Sequence, residues 1–179
     1  MKTVGKKTGT TKTKPRSDRQ VTGNMGLYYV CYRLSRLGWN VMPTARNAKG
    51  IDILGYNSDA SVKLSVQVKA LSGRNPVPLG NTLDHVLADH VIVCRNVKSD
   101  SPEIFILTKS EAKDLAKKSE KRLPDEKVRV SWWIDTKDYE IEQFRERWQI
   151  IGPSQSPAQV TASKSEHESE EKNHDIHSR

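Results

Sequence analysis

Long apolar runs are missing from this chain. Nowhere do about 18 apolar residues stand together, which excludes a membrane-spanning helix, and the basic N-terminus has no apolar segment of the kind a secretory leader needs. Cysteine is scarce. The two present, Cys31 and Cys94, each lie inside an apolar stretch rather than in a spaced ligand set, so a disulfide framework and a zinc finger are both excluded. They read as small buried hydrophobes in a reducing compartment. Also absent are a Gly-rich phosphate-cradling loop, a Gly-x-Ser-x-Gly elbow, a His-Glu-x-x-His pair and any internal repeat. The expectation is a soluble, unexported, cytoplasmic protein.

Positive charge is what the chain has in excess. Its 179 residues include 30 Lys and Arg against 22 Asp and Glu, a formal charge of +8. Such a balance points to a polyanionic partner, and nucleic acid comes before an anionic membrane because no basic amphipathic helix is evident. The length suits one domain with tails. Residues 1–22, with seven Lys and Arg against Asp18 alone, read as a disordered basic arm, and residues 153–179 as a disordered polar tail. The tail's His167, His174 and His177 are taken as incidental.

Between the tails, Gly50 to Lys69 is the stretch with chemistry. Ile51–Tyr56 and Val62–Lys69 read as two strands joined by the turn formers Asn57, Ser58, Asp59 and Ala60, hence a hairpin. Alternation puts Val62, Leu64, Val66 and Val68 on one face and Lys63, Ser65, Gln67 and Lys69 on the other. Asp52 would meet Gln67 and Lys69 across the hairpin. The Asp52 carboxylate, the Gln67 amide oxygen and the Val68 main-chain carbonyl suit a hard cation such as Mg2+, with Mn2+ an alternative. Lys69 would add an ammonium, and metal plus lysine can polarise a phosphodiester and neutralise its transition state.

Asp52 with Gln67-Val68-Lys69 resembles the PD-(D/E)XK nuclease superfamily in its Gln-x-Lys variant, near Mrr-type restriction endonucleases and resolvase-like nucleases. The resemblance spans roughly residues 23–110. It implies an α/β, restriction-endonuclease-like three-layer core over residues 23–152, with a central mixed β-sheet flanked by helices. It also implies Mg2+ and DNA cleavage, with Asp52, Gln67 and Lys69 catalytic. In relatives the first helix often has a metal-binding glutamate; here that segment, Asn24 to Tyr28, has no acid. The site is left with one sure carboxylate unless Asp59, Asp84 or Asp89 reaches in.

The remaining elements follow the residue patterns. Leu27, Val30, Cys31, Leu34 and Leu37 recur at helical spacing from Gly23 to the stop at Gly38. Trp39–Pro43 reads as a strand, and the loop after it brings Arg46 and Lys49 beside Asp52 as candidate phosphate contacts. Ala70–Gly80 reads as a loop with Arg74, Ser72 and Asn75 on a DNA-facing rim. A short helix over 81–89, strands over 90–95 and 102–107, a capped helix to Arg122, a strand over 128–134 and a closing helix with Ile141, Phe144, Trp148 and Ile151 complete the domain. DNA is the expected partner. A homodimer would suit double-strand cutting, although no residue pattern encodes one. Two rivals remain: a nuclease-fold module that binds nucleic acid without cutting it, favoured by the missing helical acid, and an interaction protein with an adaptor role.

Overall fold

The computed structural model describes residues 16–45 and 49–152. Its first element, α1 (Arg16–Arg36), begins at Arg16 rather than at Gly23, with Asp18 in the first turn, where the helix dipole favours an acid. The rest of the arm, residues 1–15, and the tail from residue 153 lie outside the described residues. The helix ends as its sequence indicates. Gly38, at φ +87°, takes the left-handed conformation that stops it.

Among the described residues eight strands follow: β1 (Asn40–Pro43), β2 (Ile53–Tyr56), β3 (Lys63–Ala70), β4 (Val77–Gly80), β5 (His90–Arg95), β6 (Glu103–Thr108), β7 (Lys117–Arg122) and β8 (Val128–Ile134). A five-stranded sheet runs in the order β1-β2-β3-β5-β6. Within it β3 and β5 are parallel and the other neighbours antiparallel, so the sheet is mixed. Parallel neighbours need a crossover, and residues 71–89 supply it. The fold is α/β, with a central mixed sheet and helices.

Alternation along the strands builds two cores. Leu64 and Val66 of β3 and Ile92 and Cys94 of β5 face α1, where they enclose Val30, Cys31 and Leu34 together with Trp39 and Trp148. Val91 and Val93, with Phe105 and Leu107 of β6, face the other way. Each such side chain contributes roughly 1.5–3 kcal/mol on burial. Both cysteines are free and buried, as their apolar surroundings suggest. Among the described residues no helix is long and apolar enough to cross a membrane.

The second face differs from the sequence reading in composition. Its cover is largely a three-stranded sheet, β4-β8-β7, with α2 (Lys109–Asp114) and α3 (Thr136–Tyr139) beside it. The charged helix expected to reach Arg122 stops at Asp114, and Lys117–Arg122 pairs with β8 as a strand instead. The expected loop 70–80 ends in β4, because a proline is tolerated on an edge strand. Residues 81–89 hold only a 3-10 turn at Leu83–His85. The closing helix is replaced by 3-10 turns at Glu142–Phe144 and Trp148–Ile150, which still bury Phe144, Trp148 and Ile151.

Candidate active site

The hairpin forms as its residues dictate. Asn57 starts the turn by donating from its amide to Ser61 Oγ and accepting the Val62 N–H at 2.9 Å, and β2 and β3 then pair with Ile53 opposite Val66. Beyond Ile53 the regular ladder stops. The Asp52 N–H donates to the Val66 carbonyl at 2.8 Å, and its carboxylate Oδ2 accepts the Val68 N–H at 2.7 Å. A side-chain oxygen thus stands where a strand carbonyl would be, and the carboxylate is locked to β3. The other oxygen, Oδ1, accepts no hydrogen bond from the described residues.

Two further constraints hold Asp52. Thr44, just after β1, donates its N–H to the Asp52 carbonyl at 2.9 Å and its hydroxyl to the Ile51 carbonyl at 2.7 Å. Gly50 has φ +73°, and a Cβ there would sit 2.2 Å from the His85 carbonyl oxygen. Only glycine fits, so the Gly-x-Asp pattern reflects a close crossing of the chain.

Lys69 is half-buried at the same end of β3. Burial pulls its ammonium below the ordinary lysine range, and the nearby Asp52 carboxylate opposes that shift. Among the described residues no hydrogen bond or ion pair holds the Lys69 ammonium. Asp52, Val68 and Lys69 line a cleft of about 280 Å³ whose opposite wall is α1, through Arg19, Gly23, Asn24 and Leu27. The helix comes this near because Gly26 is bare: a Cβ on it would lie 2.5 Å from Cβ of Ala70, the residue after Lys69.

Gln67 is buried, on the strand face that Asp52 adjoins when the Ile53–Val66 register is extended by one residue. Among the described residues its amide oxygen Oε1 accepts no hydrogen bond. Such an orphaned oxygen is costly unless a ligand satisfies it. The candidate donors at the cleft are the Asp52 oxygen Oδ1 and the Val68 carbonyl, which strand geometry places on the same edge as the Val68 N–H, while Gln67, whose amide oxygen would be the third, does not line the cleft. This all-oxygen set fits a small divalent cation, with a single negative charge to hold it. Among the described residues there is no group of three or more His, Cys, Asp or Glu that could hold a metal ion.

The acids considered as a second ligand are engaged elsewhere. Asp89 accepts from the N–H and hydroxyl of Ser65, Asp84 from the Thr82 hydroxyl, and Asp59 from Ser61. Arg46 lies outside the described residues, and Lys49 is exposed. Arg74 does not line the cleft: it is ion-paired with Glu140 and borders a different groove with Pro76 and Asp135. The sequence reading missed Arg19, assigned to the arm, and found only the lack of an acid at Asn24. A helix register extended back by one turn from Gly23 would have placed Arg19 on the same side as Leu27.

No protein-family model matches the chain, and no curated protein matches it. Among solved structures it is similar to Archaeoglobus fulgidus Hjc, a Holliday junction resolvase from an archaeal hyperthermophile, with 14% sequence identity and a TM-score of 0.40. The match covers 63% of this chain and 89% of that one. At that identity and score the likeness lends no weight to a function.

Proposed function

We propose that the chain is a metal-dependent endonuclease that hydrolyses phosphodiester bonds in DNA, in the cytoplasm, using Mg2+ or Mn2+. The observation behind this reading is the pairing of a locked carboxylate, Asp52, with a half-buried lysine that no hydrogen bond among the described residues satisfies, on one wall of an open cleft. Asp52 Oδ1, Gln67 Oε1 and the Val68 carbonyl would hold the metal, which when bound supplies Lewis-acid polarisation of the phosphate and a more acidic water. Lys69 faces the charge that builds on the phosphoryl oxygens as water adds to phosphorus and the P–O bond to the leaving strand breaks. Its lowered proton affinity also suits it to exchange a proton with the attacking water. The expected positive surface, including Arg46 and Lys49, would gather DNA through phosphate contacts. A homodimer would cut both strands.

One observation favours a second reading, a module that binds DNA without cutting: among the described residues the cleft has a single carboxylate. Incubation of purified protein with supercoiled and branched DNA, with and without Mg2+ or Mn2+, separates the two. Nicking by the native chain should fall at least about 100-fold in Asp52→Ala and in Lys69→Ala, the scale of losing one transition-state donor. DNA binding should survive in both. Binding by all three proteins with cleavage by none would replace the nuclease with the binding module.

A further inference from the structure

Helix α1 has two glycines, and packing explains one of them. Gly26 must be bare for the helix to rest on Ala70, whereas a Cβ at Gly23 would meet nothing within 4 Å. Glycine inside a helix is unfavourable relative to alanine, because more backbone freedom is lost on folding. Gly23 therefore weakens the helix with no neighbouring atom among the described residues to require it. It is exposed, and it lines the cleft opposite Asp52 and Lys69. One turn earlier on the same wall is Arg19, and the next residue is Asn24. The neighbouring acid, Asp18, is paired with Lys98 at 2.8 Å, and among the described residues Arg19 forms no ion pair.

We propose that Gly23 is a substrate-contact position: the sugar–phosphate backbone of the bound strand runs against the bare turn of α1, with Arg19 and Asn24 binding the phosphate next to the one held at Asp52 and Lys69. Missing side chains are useful where a ligand must approach the backbone closely. The guanidinium offers a planar fork that matches phosphate oxygens, and the amide of Asn24 offers N–H donors. Any side chain longer than a methyl at residue 23 would project into the approach. This inference rests on the nuclease reading, and it adds a second phosphate subsite on α1.

The test uses Gly23→Ala, Gly23→Leu and Arg19→Gln of the full chain, with thermal melts, fluorescence anisotropy on labelled duplex and branched DNA over a salt series, and nicking. Gly23→Ala should raise Tm by about 2–4 °C. Gly23→Leu should weaken DNA binding by about tenfold or more with Tm no lower than native. Arg19→Gln should weaken binding and reduce the slope of log K against log salt by about 1. If the native chain binds and cuts DNA while Gly23→Leu does both equally well, the subsite is refuted and the nuclease reading stands. If Gly23→Leu fails to fold, an Arg19→Gln salt slope equal to the native one refutes the subsite. A native chain that neither binds nor cuts DNA overturns both.

Discussion

Two cations in this protein, Arg95 buried and Lys69 half-buried, are treated in opposite ways. Arg95, at the end of β5, donates from Nε and Nη2 to both carboxylate oxygens of Glu103 at 2.9 and 2.6 Å, and Nη1 meets Glu140 at 2.8 Å. Its guanidinium also lies 5.2 Å from the centre of the Phe105 ring. Hydrogen bonding to Glu103 raises its proton affinity and holds the Glu103 and Glu140 carboxyls below the usual range. Lys69, one strand away, is half-buried without such partners among the described residues, and its proton affinity falls. A cation that only supports the fold is flanked by carboxylates that neutralise it. One that is left short of partners beside a carboxylate and a cleft is poised to meet something else.

The largest effect expected from this contrast is on stability at Arg95. Arg95→Ala strips a buried charge from two carboxylates that remain part-exposed, at 26% and 19%, so the loss should lie at the low end of the range for breaking a buried ion pair, about 3 kcal/mol. Urea unfolding should show that loss as a lower midpoint with unchanged slope. A loss within the error of the native value would mean that the network is solvated and that the comparison has no structural pole.

Lys69→Met sharpens the other pole. Nicking should drop about 100-fold, while stability at pH 7 should hold or rise, because a poorly solvated ammonium is exchanged for an apolar side chain of similar length. The pH dependence gives an independent check. With the folded proton affinity below that of the unfolded chain, the unfolded state binds more protons as pH climbs from the folded pKa toward the ordinary lysine value. The native chain therefore gains stability across that alkaline window, and the penalty is fully present below it. Subtracting Lys69→Met unfolding energies from native ones at pH 7 and 10 isolates this rise. A flat difference would place Lys69 in solvent.

How much of this was legible in the sequence depended on whether apolar residues marked a strand, by alternation in β3 and as an unbroken run in β5. β2, β3, β5 and β8 show a strand pattern, and the hairpin that aligns Asp52 with Gln67 and Lys69 was readable from Asn57 to Ala60 and the valines after it. β7 was not readable. Lys117–Arg122 is almost wholly exposed, so no apolar period marks it, and Lys and Glu favour helices until pairing with β8 overrides that preference. The final segment misled for the opposite reason. Phe144, Trp148 and Ile151 are buried as their spacing suggested, yet successive 3-10 turns deliver them, and Ile141 stays exposed. At the site, the strand-borne half was visible and the α1 half was not. Arg19 and Gly23 acquire meaning only once Gly26 is seen to dock the helix on Ala70.

The smallest effect tests the neutral member of the trio. Gln67 is 8% exposed with an unpaired amide oxygen, so replacing its NH2 by an oxygen changes charge with almost no change in shape. In Gln67→Glu without metal, a second carboxylate enters beside Asp52 in a dry setting, and the fold should lose about 1–3 kcal/mol. Added Mg2+ then neutralises the pair, so that Tm recovers and metal affinity rises about tenfold over native, since affinity for hard cations follows the charge of the ligand set. Nicking at limiting Mg2+ should increase by a similar factor. Tm of Gln67→Glu that is indifferent to Mg2+ would show that the amide oxygen faces protein rather than a metal, and Asp52 would then be a strand cap for Val68 and nothing more.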